Sequence, residues 1–381
     1  MTAAHDKYFI GTLAAIVLFG LVMMTSASIA ISDQTVHQPF YFLFKQLFFL
    51  IVGLVLGWGV LQIKMEKWED WGGYLLVFAL LMLALVLMPG IGHRVNGSAR
   101  WIGYGPLTFQ VSELAKLVLV IYLAGYLVRR QQEIMTRLSG FIKPILILGV
   151  VGILLLREPD FGAMVVITLT MIGMMFMAGM RLRHFCALFG LLLGLLALIA
   201  ISAPYRVARL TGFLDPWTHP FSTGYQLTQS LIAFGRGGWL GVGLGNSIQK
   251  MFYLPEAHTD FLFAVIAEEL GFFGCLLVLG LFIFLVIRIF MIGKRAQLLH
   301  QHFSGFIAYG CGLWVAIQFI VSIGVNSGLL PTKGLTLPFM SYGGSSVLVN
   351  CMMVALLLRI DYENRLADEK KLAFANERPD N

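Results

Sequence analysis

Leu254-Pro255-Glu256-Ala257-His258-Thr259-Asp260-Phe261-Leu262-Phe263-Ala264 marks the point where a polar, glycine-rich segment beginning at Tyr205 passes into an apolar run that reaches residue 288. A run of that length crosses a bilayer, for which about 20 apolar residues suffice. The segment before it is far longer than ordinary connections, which span a few residues. Its aromatic and glycine content argues against disorder. The long segment therefore reads as functional.

Outward from this junction, nine more apolar runs obey the same length rule, near 8–31, 44–63, 71–89, 110–128, 142–156, 161–180, 184–203, 304–328 and 340–359. Only the run 142–156 is short. The chain is 58% hydrophobic and 12% charged, with a mean hydropathy of +0.83, where soluble domains carry about 25% charged residues. The expected fold is an all-α integral membrane protein of about ten transmembrane helices, with a long extracytoplasmic loop (205–260) between helices 7 and 8. One polytopic membrane domain is expected over 1–360. The charged tail 361–381 is expected to be cytoplasmic and disordered.

An even number of spans puts both termini on one side. That side collects 17 of the 27 Lys and Arg, among them Lys7, Arg129, Arg288, Arg295 and Arg359; nine lie opposite, and Lys116 falls inside a span. The positive-inside bias then makes the termini cytoplasmic and the 205–260 segment outward-facing. The net charge of +7 follows from topology and does not call for a nucleic acid. Ser28-Ile29-Ala30 resembles a leader cleavage site, but the first run is too long for a leader and reads as a retained helix. Cys186, Cys275, Cys311 and Cys351 all sit in apolar runs without a CxxC pair, as small apolar residues do.

Polar groups inside or beside the spans need a reason. Glu113 and Lys116 are three apart in the fourth span, hence on one face and able to pair; ions there are either a functional pair or an interfacial structural one. Glu268 and Glu269 lie on other faces of the eighth span than Asp260, so no close carboxylate dyad forms with it on the same helix. Asn96-Gly97-Ser98-Ala99-Arg100-Trp101 and Arg157-Glu158-Pro159-Asp160 read either as interfacial turns or as parts of an outward site.

Within the long loop, 224–233 alternates in a way compatible with a short helix on the membrane surface. Gly235-Arg236-Gly237-Gly238-Trp239-Leu240-Gly241-Val242-Gly243-Leu244-Gly245-Asn246 matches neither GxGxxG nor a P-loop, which disfavours a nucleotide. It is either a close-packed turn or a set of backbone N–H groups facing a phosphate. Asp260 is an N-cap, a base at the outer membrane surface, or both.

These stretches resemble the SEDS family (shape, elongation, division and sporulation). The likeness rests on Pro255 to Phe261 with Ala267-Glu268-Glu269-Leu270-Gly271, Gly97 to Ile102, Ser112 to Lys116, Glu158 to Gly162, Leu214 to Trp217, Gly224-Tyr225-Gln226, Gly243 to Ser247, Pro331 to Phe339, and Ser341 to Ser346. The segment 331–337 is more like the family's division branch than its elongation branch. Ala99 departs from relatives that often carry a second basic residue there.

The resemblance implies a glycosyltransferase that polymerises lipid II, an undecaprenyl-diphosphate-linked substrate, on the outer face of the bacterial cytoplasmic (inner) membrane at the division septum. As partners it implies a class B penicillin-binding protein, an FtsI-like transpeptidase, and other divisome proteins. The family's essential aspartate falls on Asp260.

Such a reaction needs a carboxylate to accept a hydroxyl proton, the expected role of Asp260. It also needs positive charge for the leaving diphosphate, for which Arg100, Arg206, Arg209, Lys250 and Lys333 are candidates, with a divalent cation, Mg or Mn, beside them. Glu256, His258 and Thr259 flank the base as substrate contacts. Glu113, Lys116, Glu158 and Asp160 are expected to support the cavity wall. No nucleotide or haem is expected. Two rival readings are a lipid II flippase, which intramembrane ions could also suggest, and a non-catalytic divisome scaffold. Within the enzyme reading, an elongation polymerase is the further alternative.

Overall fold

The computed structural model describes residues 6–376 except 96–97, 105–106, 137, 203–206, 208–210, 219 and 333. The chain runs α1 (Lys7–Val36), α2 (Tyr41–Gln62), α3 (Met65–Val86), β1 (Gly92–Val95), β2 (Ser98–Tyr104), β3 (Leu107–Gln110), α4 (Val111–Arg129) and α5 (Gln131–Thr136). It continues with α6 (Ile142–Arg157), α7 (Phe161–Met177), α8 (Leu182–Ile201), α9 (Tyr225–Gly237), α10 (Leu262–Leu298), α11 (His302–Asn326) and α12 (Gly344–Asn376).

Among the described residues, nine helices are long and apolar enough to cross a membrane, and α7 is a shorter apolar one. Together they overlap the ten apolar runs.

Helix α4 is the hub. It is apolar on nearly every side, and 15 of its residues are buried, as expected for a helix enclosed by others. It packs against α3, α7, α11 and α12. By contrast α2, α3 and α8 leave many large apolar side chains exposed, including Phe44, Trp58, Tyr74, Phe78, Leu191 and Leu198; these faces suit lipid. Cys186, on α8, is exposed rather than buried, unlike Cys275 and Cys311.

α2 and α12 approach closely because Gly53 and Gly57 face Cys351 and Ala355, a small-xxx-small contact that lets backbones meet without water. α10 lies along α11, and α9 packs across α10 and α11.

Two expectations are corrected here. The connection between α3 and α4 holds a three-stranded antiparallel sheet, β1-β2-β3, with Trp101 opposite Gln110. The tail is the second. Expected to be disordered from Asp361, it continues helix α12 to Asn376; residues 377–381 lie outside the described residues.

Tertiary contacts explain the ordered tail. Asp361 accepts from the backbone N–H of Asp6 (2.8 Å) and from Arg365 (3.0 Å). Arg359 reaches Glu363 (2.7 Å), Arg295 reaches Asp368, and Asn364 donates to the Ile292 carbonyl (3.1 Å). Asp6 is also paired with Arg288. The start of α1 and the cationic end of α12 therefore meet at one end of the bundle.

Candidate active site

The segment 254–260 turns into α10 through local bonds. The N–H groups of Thr259 and Phe261 donate to the Glu256 carbonyl (3.2 and 3.1 Å), and Glu256 adopts φ 57°. The Thr259 hydroxyl donates to the Glu256 carboxylate (2.7 Å). His258 is buried. Its ring lies 4.7 Å from Phe42 and 5.6 Å from Tyr342, centroid to centroid, and its carbonyl accepts from the Tyr342 N–H (3.0 Å). Burial pushes the imidazole below its ordinary pKa, with Glu256 opposing the shift, so the ring is an apolar wall more than a cation.

Asp260 is partly exposed at the head of α10. A Cβ on Gly334 would sit 2.6 Å from Asp260 Oδ2, so the backbone at Gly334 lies close beside the carboxylate. Capping of the helix falls to another residue: Asn326, at the end of α11, accepts from Ala264 N–H (3.1 Å) and donates to the Asp260 carbonyl (2.9 Å).

Behind this segment, Lys116 pairs with Glu113 at 2.9 Å and donates to Gln318 (2.9 Å), which also accepts from Trp314 (2.8 Å) and donates to the Thr336 carbonyl (2.9 Å). The Glu113–Lys116 pair read from the sequence is thus tied through Gln318 to Thr336, two residues beyond the Gly334 that lies beside Asp260.

Asp160 caps α7 through Ala163 N–H (3.3 Å) and accepts from Ser112 (2.8 Å) and Gln110 (3.2 Å). These bonds join α4 to α7. Glu158 is fully buried with both carboxyl oxygens unpartnered. Burial, reinforced by Asp160 and opposed by Arg100, raises its pKa to about 8.

Several expected anion contacts are placed differently. Arg100 spends its guanidinium on the carbonyls of Glu158 and Pro159, clasping β2 to the α6–α7 turn. Lys250 is not an outward cation: it is buried, with Nζ 2.6 Å from Glu269 and 2.9 Å from the Ser26 hydroxyl. It reaches one wall of a groove of about 940 Å³ between the C-terminal half of α1 and residues 244–252. Arg206, Arg209 and Lys333 lie outside the described residues.

The reason for Lys250's position was not visible in the spacing. α10 breaks at Gly271, which takes φ 65°. The freed N–H groups of Phe272 and Phe273 go to the carbonyls of Gly238 and Trp239 (2.9 and 3.3 Å), while Val242 and Gly243 N–H groups take the carbonyls of Glu268 and Glu269 (both 3.0 Å). The glycine-rich loop is therefore spliced into the break. Its N–H groups at 242 and 243 are spent on protein carbonyls, which decides for the close-packed reading over a phosphate cradle there.

The same splice buries Glu268 and Glu269 completely, and buried charges need partners. Glu268 finds Arg236 (2.6 Å), the Ser247 hydroxyl and Ile248 N–H (3.0 Å). Glu269 finds Lys250 and Ser26. Helix α9 covers the expected 224–233, but its buried face packs on α10 and α11.

Among the described residues, no three His, Cys, Asp or Glu side chains converge as a metal cage.

Comparison with known proteins closes the description. The family model for the cell cycle proteins FtsW, RodA and SpoVE matches residues 6–366. The chain is 55% identical over 361 residues to a protein of Legionella pneumophila named probable peptidoglycan glycosyltransferase FtsW, covering 95% of this chain and 92% of that one. Among solved structures it is similar to a chain from a peptidoglycan synthase complex described for the structural coordination of polymerization and crosslinking (TM-score 0.79, 31% identity, 95% and 98% covered). It is also similar to the Thermus thermophilus rod shape determining protein RodA (TM-score 0.70, 29% identity, 95% and 98% covered).

Proposed function

The chain belongs to the FtsW, RodA and SpoVE family of cell cycle proteins, and from that premise we propose that it is a peptidoglycan glycosyltransferase of the FtsW kind, polymerising lipid II for septal wall synthesis. The observation that carries the site assignment is Asp260: a partly exposed carboxylate at the head of α10, close beside Gly334 and flanked by the buried His258 wall. The adjacency of Asp6 and Asp361, ringed by Arg288, Arg295, Arg359 and Arg365, supports placing both termini in the cytoplasm. Asp260 then lies at the outer face of a multi-pass membrane domain.

In this reading a sugar hydroxyl attacks the anomeric carbon of a polyprenyl-diphosphate-linked glycan. The new C–O bond forms as the bond from the anomeric carbon to the phosphate oxygen breaks, and the diphosphate leaves with the electron pair. Asp260 takes the hydroxyl proton. One displacement inverts an α-linked donor to a β-linked product without a second carboxylate as nucleophile. Arg206, Arg209 and Lys333 are the basic residues proposed to stabilise the departing diphosphate; Lys250 and Arg100 are committed elsewhere. A divalent cation, where bound, supplies further positive charge at the diphosphate.

The proposed partner is a class B penicillin-binding protein that crosslinks the new strands. The deciding experiment supplies purified lipid II to the protein with that partner and measures glycan chains, beside Asp260→Ala. Chains from the parent and none from the variant are expected. Movement of lipid II across vesicles without chains would favour a flippase, and partner recruitment with neither would leave a scaffold.

A further inference from the structure

We propose that Asn326 is a positioning residue for Asp260, clamping its backbone from a neighbouring helix so that the carboxylate meets the reacting hydroxyl. This rests on the reading of Asp260 as the base. The first N–H groups of a helix have no partner within it. At α10 the N-cap residue is Phe261, whose side chain cannot accept. Asn326 supplies what the local sequence lacks.

Asn326 is fully buried at the last position of α11. Its Oδ1 accepts from Ala264 N–H (3.1 Å), and its Nδ2 donates to the carbonyls of Asp260 (2.9 Å) and Ser322 (2.8 Å). Oxygen and nitrogen are assigned by this network: exchanging them would set an oxygen against two carbonyls and an NH2 against an N–H. All the amide's polar atoms are thereby used.

The Asn326 carbonyl also accepts from the buried Ser230 hydroxyl of α9 (2.6 Å). One amide thus registers three things: the end of α11, the first turn of α10, and the peptide carbonyl of Asp260 itself.

The functional weight lies in the bond to the Asp260 carbonyl. A cap alone would need only Oδ1. The second donor fixes the peptide that carries the Asp260 side chain, while Gly334 lies close to its carboxylate. A base displaced by about 1 Å can lose on the order of 100-fold in rate.

The test uses the full chain with its crosslinking partner, lipid II as substrate, and three variants. Asn326→Asp is isosteric: it keeps an acceptor for Ala264 N–H but turns an oxygen toward the two carbonyls that were bonded. Asn326→Ala removes both functions. Ser230→Ala loosens the same helix junction without touching the Asp260 carbonyl.

Expected for both Asn326 variants is a kcat lower by about 10- to 100-fold, with KM for lipid II unchanged, since only the reacting geometry is disturbed. Their thermal midpoints should fall below that of Ser230→Ala, which keeps its kcat, while the unfolding transition stays cooperative. An unchanged kcat in folded Asn326→Asp overturns the proposal. So does failure of both Asn326 variants to fold, which would make the residue a structural cap only. Asp260→Asn is assayed alongside: if it retains full rate, the base assignment itself fails, a result separable from any outcome at Asn326.

Discussion

The stretch from Asp260 to Leu270, which leads into α10 and ends at its break, has carboxylates at both ends, and the two ends are built on opposite rules. At its close, Glu268 and Glu269 are fully buried, each paired with a cation from a segment flanking the spliced loop, Arg236 at the end of α9 and Lys250 after the loop. At its head, Asp260 remains partly exposed, with its backbone held by Asn326 and its carboxylate beside Gly334. The enclosed Glu268 and Glu269 hold elements together; the partly exposed Asp260, held through its backbone, is the one to which the proposed function gives a proton transfer. On that proposal, structural and chemical acids lie within about 14 Å of each other along the chain.

The strongest way to break this contrast is at Asp260. Asp260→Asn keeps size and polarity but cannot take a proton, so glycan polymerisation is expected to fall by about 10²- to 10⁴-fold, with a thermal midpoint in detergent close to the parent's. Chain formation at the parent's rate would remove the base from the mechanism. A large loss of midpoint would instead put Asp260 in the same class as Glu268 and Glu269.

The complementary perturbation is Lys250→Met. It leaves Glu269 buried without its cation, a change that typically costs about 3–5 kcal/mol. The midpoint should drop steeply, and adding Glu269→Gln should recover much of it, because the two residues are coupled in one buried pair. Molecules that remain folded should still polymerise. A stable Lys250→Met protein with a raised KM for lipid II would return Lys250 to the substrate site, where sequence alone had placed it.

Lys250 also shows what the sequence could carry. The membrane spans were legible because apolar length is a local property, and the Glu113–Lys116 pair because i,i+3 spacing is. The demand for partners at Glu268 and Glu269 was visible in principle, since adjacent acids in an apolar run must be compensated. Which cations answered it depended on the break at Gly271 and the loop spliced into it, a long-range event with no periodic signal. Asn326 looks like any polar residue ending a span. The helical tail failed for a similar reason: its charge reads as disorder until Asp361 is brought to Asp6 and Asp368 to Arg295 in space. The three short strands of 92–110 gave too little alternation to stand out.

The smallest expected effect concerns a third kind of acid, enclosed but unpaired. Glu158 is buried with neither carboxyl oxygen bonded, and its pKa is raised from 4.5 to about 8, first by burial and then by Asp160, against the pull of Arg100. Between those two values the folded protein keeps a proton that the unfolded chain has lost. Folding therefore binds protons in this window, and stability must decline as pH rises through it. The full shift caps the effect at about 5 kcal/mol, of which only a fraction is expected in the midpoint. Glu158→Gln keeps the neutral shape at every pH, so its thermal midpoint should exceed the parent's at pH 8.5 and match it near pH 5, flattening the profile. A parent midpoint that rises from pH 5 to 8.5, or a variant with the parent's slope, would show that Glu158 is ionised and paired in the folded protein, and would move it into the class of Glu268 and Glu269.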